Sequence, residues 1–343
     1  MGTSEVKGVD VGPVTAWFEA NVAGARGPLA FDLIAGGHSN LTYGVTDAAG
    51  HRYVLRRPPL GHVLATAHDM GREHKIISAL GPTDVPVAPA LGLCTDEAVN
   101  GAPFYVMDFV DGLVLRDSGA VQGISVDARR NASESIAETL AAIHAVDPDA
   151  VGLGDLGKKD GYIARQLKRW YGQFEQSKTR EVPLVDEVHD ALAARIPEQG
   201  RAAIVHGDYR LDNCMTDEKG NIIAVLDWEI CTLGDPLADV GLLMVYWTEA
   251  DDAAVLLTAP TASEGFLKRQ DLLDVYADRS GRDLSQVDFY IAFGYWKLAC
   301  IVEGVYARYV GGAMGDTTTG FEGFARQVEH CAQAAADAVA RLG

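Results

Sequence analysis

Apolar positions in the first third of the chain follow two rhythms. Val14, Trp17, Phe18 and Val22 recur at helical spacing and predict a short helix from Val11 to Val22. Phe31-Asp32-Leu33-Ile34 then reads as a strand, Gly36-Gly37-His38-Ser39-Asn40 interrupts it, and Leu41 to Thr46 resumes it. Asp47-Ala48-Ala49-Gly50 is a turn and Tyr53-Val54-Leu55 the next strand, so this part predicts an antiparallel meander with short turns. Ala65 to Leu80 is helical, with Met70, Ile77 and Leu80 on one side, and Ala88 to Leu93 and Phe104 to Val110 are two more strands. After Gly112 the helical period dominates. Ile136, Leu140 and Ile143 mark a helix over Ala132 to Val146, and others are expected near 160–176, 184–195, 236–248, 263–279, 286–310 and 319–341. One β interlude breaks the run: Ala203-Ile204-Val205, then Asn213 to Met215 and Ile222 to Leu226, the last two joined by a tight turn at Gly220-Asn221.

This order predicts an α+β, two-lobed chain. A small antiparallel-sheet lobe covers 1–110, a hinge lies at about 107–112, and a larger, mainly helical lobe covers 113–343. Ligand sites favour the cleft at such a junction. The length of 343 residues suits two compact domains or one large bilobal one, and 48% hydrophobic with 22% charged residues excludes collagen-like and disordered classes. Acidic residues outnumber basic ones 48 to 29, for a net charge of −19. That balance argues against general nucleic-acid binding and anionic membrane surfaces, and favours a cationic or neutral small substrate. No run of about 18 apolar residues predicts a membrane span, and Met1-Gly2-Thr3-Ser4-Glu5 lacks the basic start of a secretory signal. Cys94, Cys214, Cys231, Cys300 and Cys331 are widely spaced with no C-x-x-C, so they are expected as buried, reduced thiols in a cytoplasmic protein without a zinc site.

The chemistry concentrates in His206-Gly207-Asp208-Tyr209-Arg210-Leu211-Asp212-Asn213 and in Val225-Leu226-Asp227-Trp228-Glu229. Phosphoryl transfer needs hard oxygen ligands for magnesium, a carboxylate near the attacking hydroxyl, and positive charge on the moving group. Asp208 sits in a loop after a short strand, Asn213 opens the hairpin, and Asp227 closes it. A hairpin brings its ends together, so Asn213 and Asp227 can share one metal with Asp208 close by. Arg210 can offset charge on the γ-phosphate, and His206 reads as a structural hydrogen-bonder behind the loop. Asp235-Pro236 reads as an N-cap followed by the first helical position, and Asp239 as a helix residue bracing the loop.

The segment from His206 to Glu229 resembles the catalytic segment of the aminoglycoside phosphotransferase-like kinases, relatives of the protein kinases. It is most similar to a subgroup that includes kinase domains fused to acyl-CoA dehydrogenases. The subgroup's motifs G-G-x-S-N-x-T-Y, L-R-R/K-x-P, R-E, F-Y-V-M-x-F-V-x-G, H-G-D-[FY]-R-x-D-N and D-W-E-x-x-x-x-G-D-P occur in order from Gly36 to Pro236. The resemblance implies a protein-kinase-like bilobal fold and ATP- and magnesium-dependent phosphorylation of a hydroxyl on a small substrate, by a monomer or homodimer. It assigns catalysis to Asp208 with Arg210, and metal binding to Asn213 and Asp227. Gly36, Gly37, Ser39 and Asn40 become the phosphate loop, Arg56 a phosphate-binding cation, and Glu73 its ion-pair partner. Arg57 is the alternative to Arg56, since strand neighbours point to opposite sides. Met107 would pack beside adenine, whose edge the backbone of Asp108 and Val110 would bond. The acceptor stays open. Aminoglycosides and macrolides suit the acidic field, and the subgroup suggests a hydroxyacyl group or hydroxyacyl-CoA. For CoA, Lys158, Lys159, Arg165, Lys168 and Arg169 are a candidate basic patch. Tyr295, Trp296, Glu303, Tyr306 and Arg308 lie on a long helix that in this family can border the acceptor pocket. A nucleotide-binding module without turnover is the remaining alternative, and the intact Asp208, Asn213 and Asp227 argue against it.

Overall fold

In the computed structural model, which describes residues 6–35, 40–60, 69–252, 259–311 and 322–342, the expected meander forms a five-stranded antiparallel sheet. Its strands are β1 (Ala30–Ala35), β2 (Leu41–Thr46), β3 (Arg52–Arg57), β4 (Ala90–Cys94) and β5 (Phe104–Asp108), in the spatial order β1-β2-β3-β5-β4. Along β2, Leu41, Tyr43 and Val45 are buried and alternate with half-buried residues, as the pleat requires of a sheet covered on one face. Helix α1 (Val11–Asn21) covers that face. It sets Val14 and Phe18 among Tyr43, Leu55 and Val106, with Trp17 edge-on to Phe104 at 4.9 Å. Helix α2 (Met70–Leu80) packs on β4 and β5, and its N-cap Asp69 accepts a bond from Arg72 N at 3.0 Å. The earlier start expected at Ala65 lies outside the described residues. Short helix α3 (Glu97–Asn100), capped by Asp96, escapes periodicity because it spans only one turn.

These elements make one compact unit, Met1–Gly112, which also includes Ile223–Glu229. Residues 227–229, assigned by the sequence to the helical portion, therefore belong with the sheet. Val225 N donates to Pro86 O at 2.8 Å, and Arg56 Nη2 donates to Asp227 Oδ1 at 3.0 Å.

The second unit comprises Leu113–Ile222 and Ile230–Gly343. Its elements are α4 (Ser118–Gln122), α5 (Val126–Ala145), α6 (Tyr162–Ser177), α7 (Pro183–Ala193), β6 (Ala203–Val205), β7 (Cys214–Thr216), the first residue of β8 (Ile222–Val225), β9 (Thr232–Gly234), α8 (Leu237–Tyr246), α9 (Arg269–Ser280), α10 (Val287–Val310) and α11 (Glu322–Ala340). Helix α5 begins six residues before its expected start because Ser125 caps it, accepting from Ala128 N at 3.1 Å. Helix α9 begins later than expected. Ser133 Oγ accepts from Leu267 N and Trp247 Nε1 donates to Leu267 O, which fixes the preceding segment outside the helix. Strand β9, missed by the pattern at three residues, pairs antiparallel with β6. Asn213 ends a 3-10 turn, and β7 starts only at Cys214.

Helix α10 is the axis of this unit. It packs on α6, α7, α8 and α11 and buries Phe289, Phe293 and Trp296 against Phe174, Val185 and Val328, so this aromatic stripe is core. All five cysteines are buried free thiols, and no helix among the described residues is long and apolar enough to cross a membrane.

A Cβ on Gly241 of α8 would lie 2.3 Å from Tyr290 O, so α8 and α10 meet nearly backbone to backbone. Gly241→Ala is expected to lower stability by about 1–3 kcal/mol through overpacking. Gly172→Ala on α6, where an added Cβ meets nothing within 4 Å, is expected to raise it by about 0.5–1 kcal/mol. Urea unfolding of the two variants beside the parent chain checks the contrast.

Candidate active site

In the first unit the site is built on the end of β3. Arg56 and Arg57 point to opposite faces, and the register sets Arg56 beside Thr42 and Tyr105. The Arg56 guanidinium lies 3.2 Å from Glu73 Oε2 and 3.0 Å from Asp227 Oδ1. Arg57 instead donates to the carbonyls of Gly8, Pro58 and Asn100, which makes it a backbone pin. Glu73 stands in the first turn of α2, 1% exposed, and accepts from Tyr105 Oη at 2.9 Å and Asn40 Nδ2 at 2.8 Å. Asn40 Nδ2 also lies 3.4 Å from Glu229 Oε2. Burial pushes the Glu73 carboxyl above the usual range, opposed by the Arg56 charge and the donors from Tyr105 and Asn40. Burial likewise acts against the Arg56 charge, but Tyr105, Glu73 and Asp227 outweigh it and hold its pKa above the ordinary value.

Two features of this cluster are unusual. Asp227 has φ of 61°, the one non-glycine residue with positive φ among those described, a conformation that costs on the order of 1 kcal/mol or more. Arg56 Nε and Asn40 Oδ1 are buried without a hydrogen-bond partner among the described residues. Gly36, Gly37 and Ser39 of the expected phosphate loop lie outside those residues. At the expected hinge, Met107 pairs with Val54 and Ala90, and Val110 is half-buried. The Asp108 N–H donates to Pro89 O at 2.8 Å. It is thereby removed from the backbone groups expected to meet an adenine edge.

In the second unit the loop from His206 to Asn213, expected to be catalytic, follows β6. Asp239, in the first turn of α8 and 1% exposed, accepts from His206 N at 2.7 Å and Gly207 N at 2.8 Å, with His144 Nε2 at 3.3 Å. Burial opposes ionisation of Asp239, but His144 and these donors outweigh it and hold the carboxyl below its usual range. Gly207 has φ of 87°, and a Cβ there would press on Ile230 at 3.1 Å, so the turn needs glycine. Asn213 Nδ2 donates to Asp208 O at 2.8 Å and to Asp208 Oδ2 at 2.9 Å. Arg210 lies 3.4 Å from Asp208 Oδ2 and 3.0 Å from Asp212 Oδ2, with its guanidinium 5.0 Å from the Tyr246 ring. Burial pushes the Asp212 carboxyl up, against the Arg210 charge. A hollow of about 30 Å³ adjoins Arg210, lined also by Arg116, Asp212, Tyr246 and Trp247, and has room for a water molecule.

Other expectations resolve into framework. Helix α8 starts at Leu237, one residue later than the capping pattern implies, yet Asp235 still accepts from Leu237 N at 3.1 Å and from Tyr290 Oη at 2.7 Å. Trp296 Nε1 donates to Val185 O, and buried Glu303 accepts from Thr179 and Arg180. Neither is available to border an acceptor pocket. Sequence reasoning missed Tyr105, Tyr246 and Lys297, whose Nζ donates to Gly207 O at 3.0 Å. For Lys297 a signal existed: it is the one charge in the apolar run from Phe289 to Val302.

The sequence model of the phosphotransferase enzyme family (APH) matches residues 31–273. Acyl-CoA dehydrogenase family member 10 of Mus musculus is 34% identical over 306 residues, covering 86% of this chain and 28% of that protein. Across such relatives the chain spans only 28% to 41% of their length. A crystal structure of a Ralstonia eutropha JMP134 protein assigned to the aminoglycoside phosphotransferases is 33% identical with a TM-score of 0.84, covering 97% of this chain and 98% of the other. Choline kinase from Cryptosporidium parvum Iowa II, at 12% identity and a TM-score of 0.64 over 96% of each chain, shares the kinase-like fold.

Arg56→Met is expected to cost about 3–5 kcal/mol at neutral pH, because it leaves buried Glu73 without its counter-charge. The Glu73 carboxyl is already raised by burial, so protonation relieves the variant. Its deficit therefore shrinks as the pH falls below the raised value and grows as the pH rises through it. Urea unfolding at mildly acid and mildly alkaline pH measures this slope, and a pH-independent deficit contradicts it.

Proposed function

The chain belongs to the phosphotransferase enzyme family, and on that footing we propose that it transfers the γ-phosphoryl group of ATP to a hydroxyl of a small molecule, with magnesium as the metal. The observation that carries this reading is the Asp208 carboxylate, which is fastened by the Asn213 amide, flanked by Arg210 and still 28% exposed. Asp208 orients the acceptor hydroxyl and takes its proton on a carboxylate oxygen. The hydroxyl oxygen then bonds to the γ-phosphorus as the bond to the ADP oxygen breaks. Arg210 supports charge on the moving group.

The residues suit the implied metal and nucleotide. Asn213 directs its amide nitrogen to Asp208, which leaves its Oδ1 as the free hard oxygen, and the Asp227 carboxylate is one-third exposed. Oxygen donors of this kind hold magnesium, which when bound offsets phosphate charge. The buried Arg56 Nε, without a partner among the described residues, suits a phosphate oxygen, and Glu73 keeps that guanidinium oriented. Gly36, Gly37, Ser39 and Asn40 serve as the phosphate loop, with Met107, the Asp108 carbonyl and Val110 toward adenine. The acidic composition and buried thiols support a cytoplasmic setting without nucleic-acid partners.

A second reading concerns the acceptor. Relatives named acyl-CoA dehydrogenase family members favour a hydroxyacyl or hydroxyacyl-CoA group, and Lys158, Lys168 and Arg169 stand exposed at and before α6 to meet its phosphates. A panel of aminoglycosides, macrolides and hydroxyacyl-CoAs, incubated with magnesium and ATP, decides among them by the mass gain of one phosphate. ATP binding with no phosphorylated product from any acceptor would leave a nucleotide-binding module.

Two substitutions divide the roles. Asp208→Asn is expected to lower turnover by about 10²–10⁴-fold while the thermal shift produced by magnesium-ATP stays at the parent value. Asp227→Ala is expected to remove the magnesium dependence of ATP binding in calorimetry. Parent-like turnover in the first variant, or unchanged metal dependence in the second, defeats the corresponding assignment.

A further inference from the structure

Lys297 places its amino group in the buried interior of the second unit. Its residue is 7% exposed, on the central helix α10, and its Nζ donates to Gly207 O at 3.0 Å and stands 5.7 Å from the Trp170 ring. The charged groups facing it are Asp239 on α8, Asp208 on the catalytic loop and Arg169 on α6. Burying an ammonium is unfavourable, and an apolar side chain of the same length would fill the space without that penalty. A lysine kept there points to work the fold alone does not require.

The bond geometry identifies that work. The Gly207 carbonyl and the Asp208 N–H belong to one peptide group. Lys297 holds the oxygen, and His206 Nδ1 accepts from the nitrogen at 3.3 Å. The preceding peptide is held separately, through Gly207 N on Asp239 Oδ1. Asp239 therefore secures the entry to the loop, and the peptide that carries Asp208 is held at its nitrogen by His206 and at its oxygen by Lys297. Glycine at φ of 87° has no side chain of its own to restrict rotation at this point.

We propose that Lys297 is a positioning residue for phosphoryl transfer, whose buried ammonium locks the Gly207–Asp208 peptide and so sets the direction in which the Asp208 carboxylate points. The inference rests on the reading of Asp208 as the group that orients the acceptor. It assigns Lys297 no contact with nucleotide or acceptor, so its loss acts on turnover and leaves nucleotide affinity unchanged.

The test uses Lys297→Met and Lys297→Gln in the full chain, with Asp208→Asn alongside. Amide hydrogen exchange is followed without ligand, and basal hydrolysis of magnesium-ATP, with water as acceptor, gives kcat and KM. Lys297→Met is expected to speed exchange at the Asp208 amide by about tenfold or more while α8 and α10 keep their protection. Its kcat is expected to fall about 10- to 100-fold at an unchanged KM for ATP. Lys297→Gln keeps an uncharged N–H donor group and is expected to move both readouts the same way by less. It carries the test if the methionine variant does not fold. Parent-like loop exchange or parent-like kcat in either folded variant overturns the proposal. If Asp208→Asn hydrolyses ATP at the parent rate, it is the reading of Asp208 that falls. An inactive Asp208→Asn beside a fully active Lys297→Met refutes the role of Lys297 alone.

Discussion

The second unit is organised around one buried carboxylate. Asp239 sits in the first turn of α8, where the helix dipole favours negative charge, and takes two successive backbone N–H groups from His206 and Gly207. A buried carboxylate with fewer donors would be protonated or excluded, so the loop and the charge stabilise each other. His144 ties the same carboxylate to α5, and Tyr276 Oη at 2.7 Å from His144 Nδ1 ties that histidine to α9. Two residues past Asp239, Gly241 allows α10 to approach α8 at backbone distance. That approach is what brings Lys297 within reach of the Gly207 carbonyl. From His206 to Arg210 the loop has no regular structure of its own, and α5, α8, α9 and α10 supply the order it lacks.

The first unit solves a similar problem with a cation. Arg56 is enclosed by Glu73, Asp227 and the Tyr105 hydroxyl network, and one of its nitrogens is still unpartnered among the described residues. The chain carries a net charge of −19, yet the phosphate chemistry proposed for it calls for positive charge. The cations assigned to that chemistry, Arg56 and Arg210, are held by carboxylates on short leashes. Such pairs contribute little net stability when buried, because desolvation offsets their attraction. What they provide is fixed direction, at sites where a mobile side chain would have to be ordered anew for each substrate.

Much of this was legible in the residues alone. Periodicity located α1, β2 and α6 closely because each buries one face, and burial imprints a period of two or 3.6 on the chain. The loop from His206 to Asn213 was readable because glycine, carboxylate and amide at that spacing suit few other purposes. Pattern also showed that Arg56 and Arg57 must diverge. It did not show which one meets the acidic pair, since alternation distinguishes two faces without saying what lies on either.

Only the tertiary structure decided the partners. The cluster of Asn40, Arg56, Glu73, Tyr105 and Asp227 draws on five separate segments, and no local period encodes a meeting across 187 positions of chain, from 40 to 227. The grouping of residues 223–229 with the sheet, the commitment of the Asp108 N–H to Pro89, and the reach of Lys297 to Gly207 are of the same kind. Each depends on how whole elements pack, and packing is set by the summed burial of many side chains rather than by the residues that end up in contact. The sequence by itself determined which chemical groups the protein has and which faces it hides; the packing of those faces determined which groups can act together.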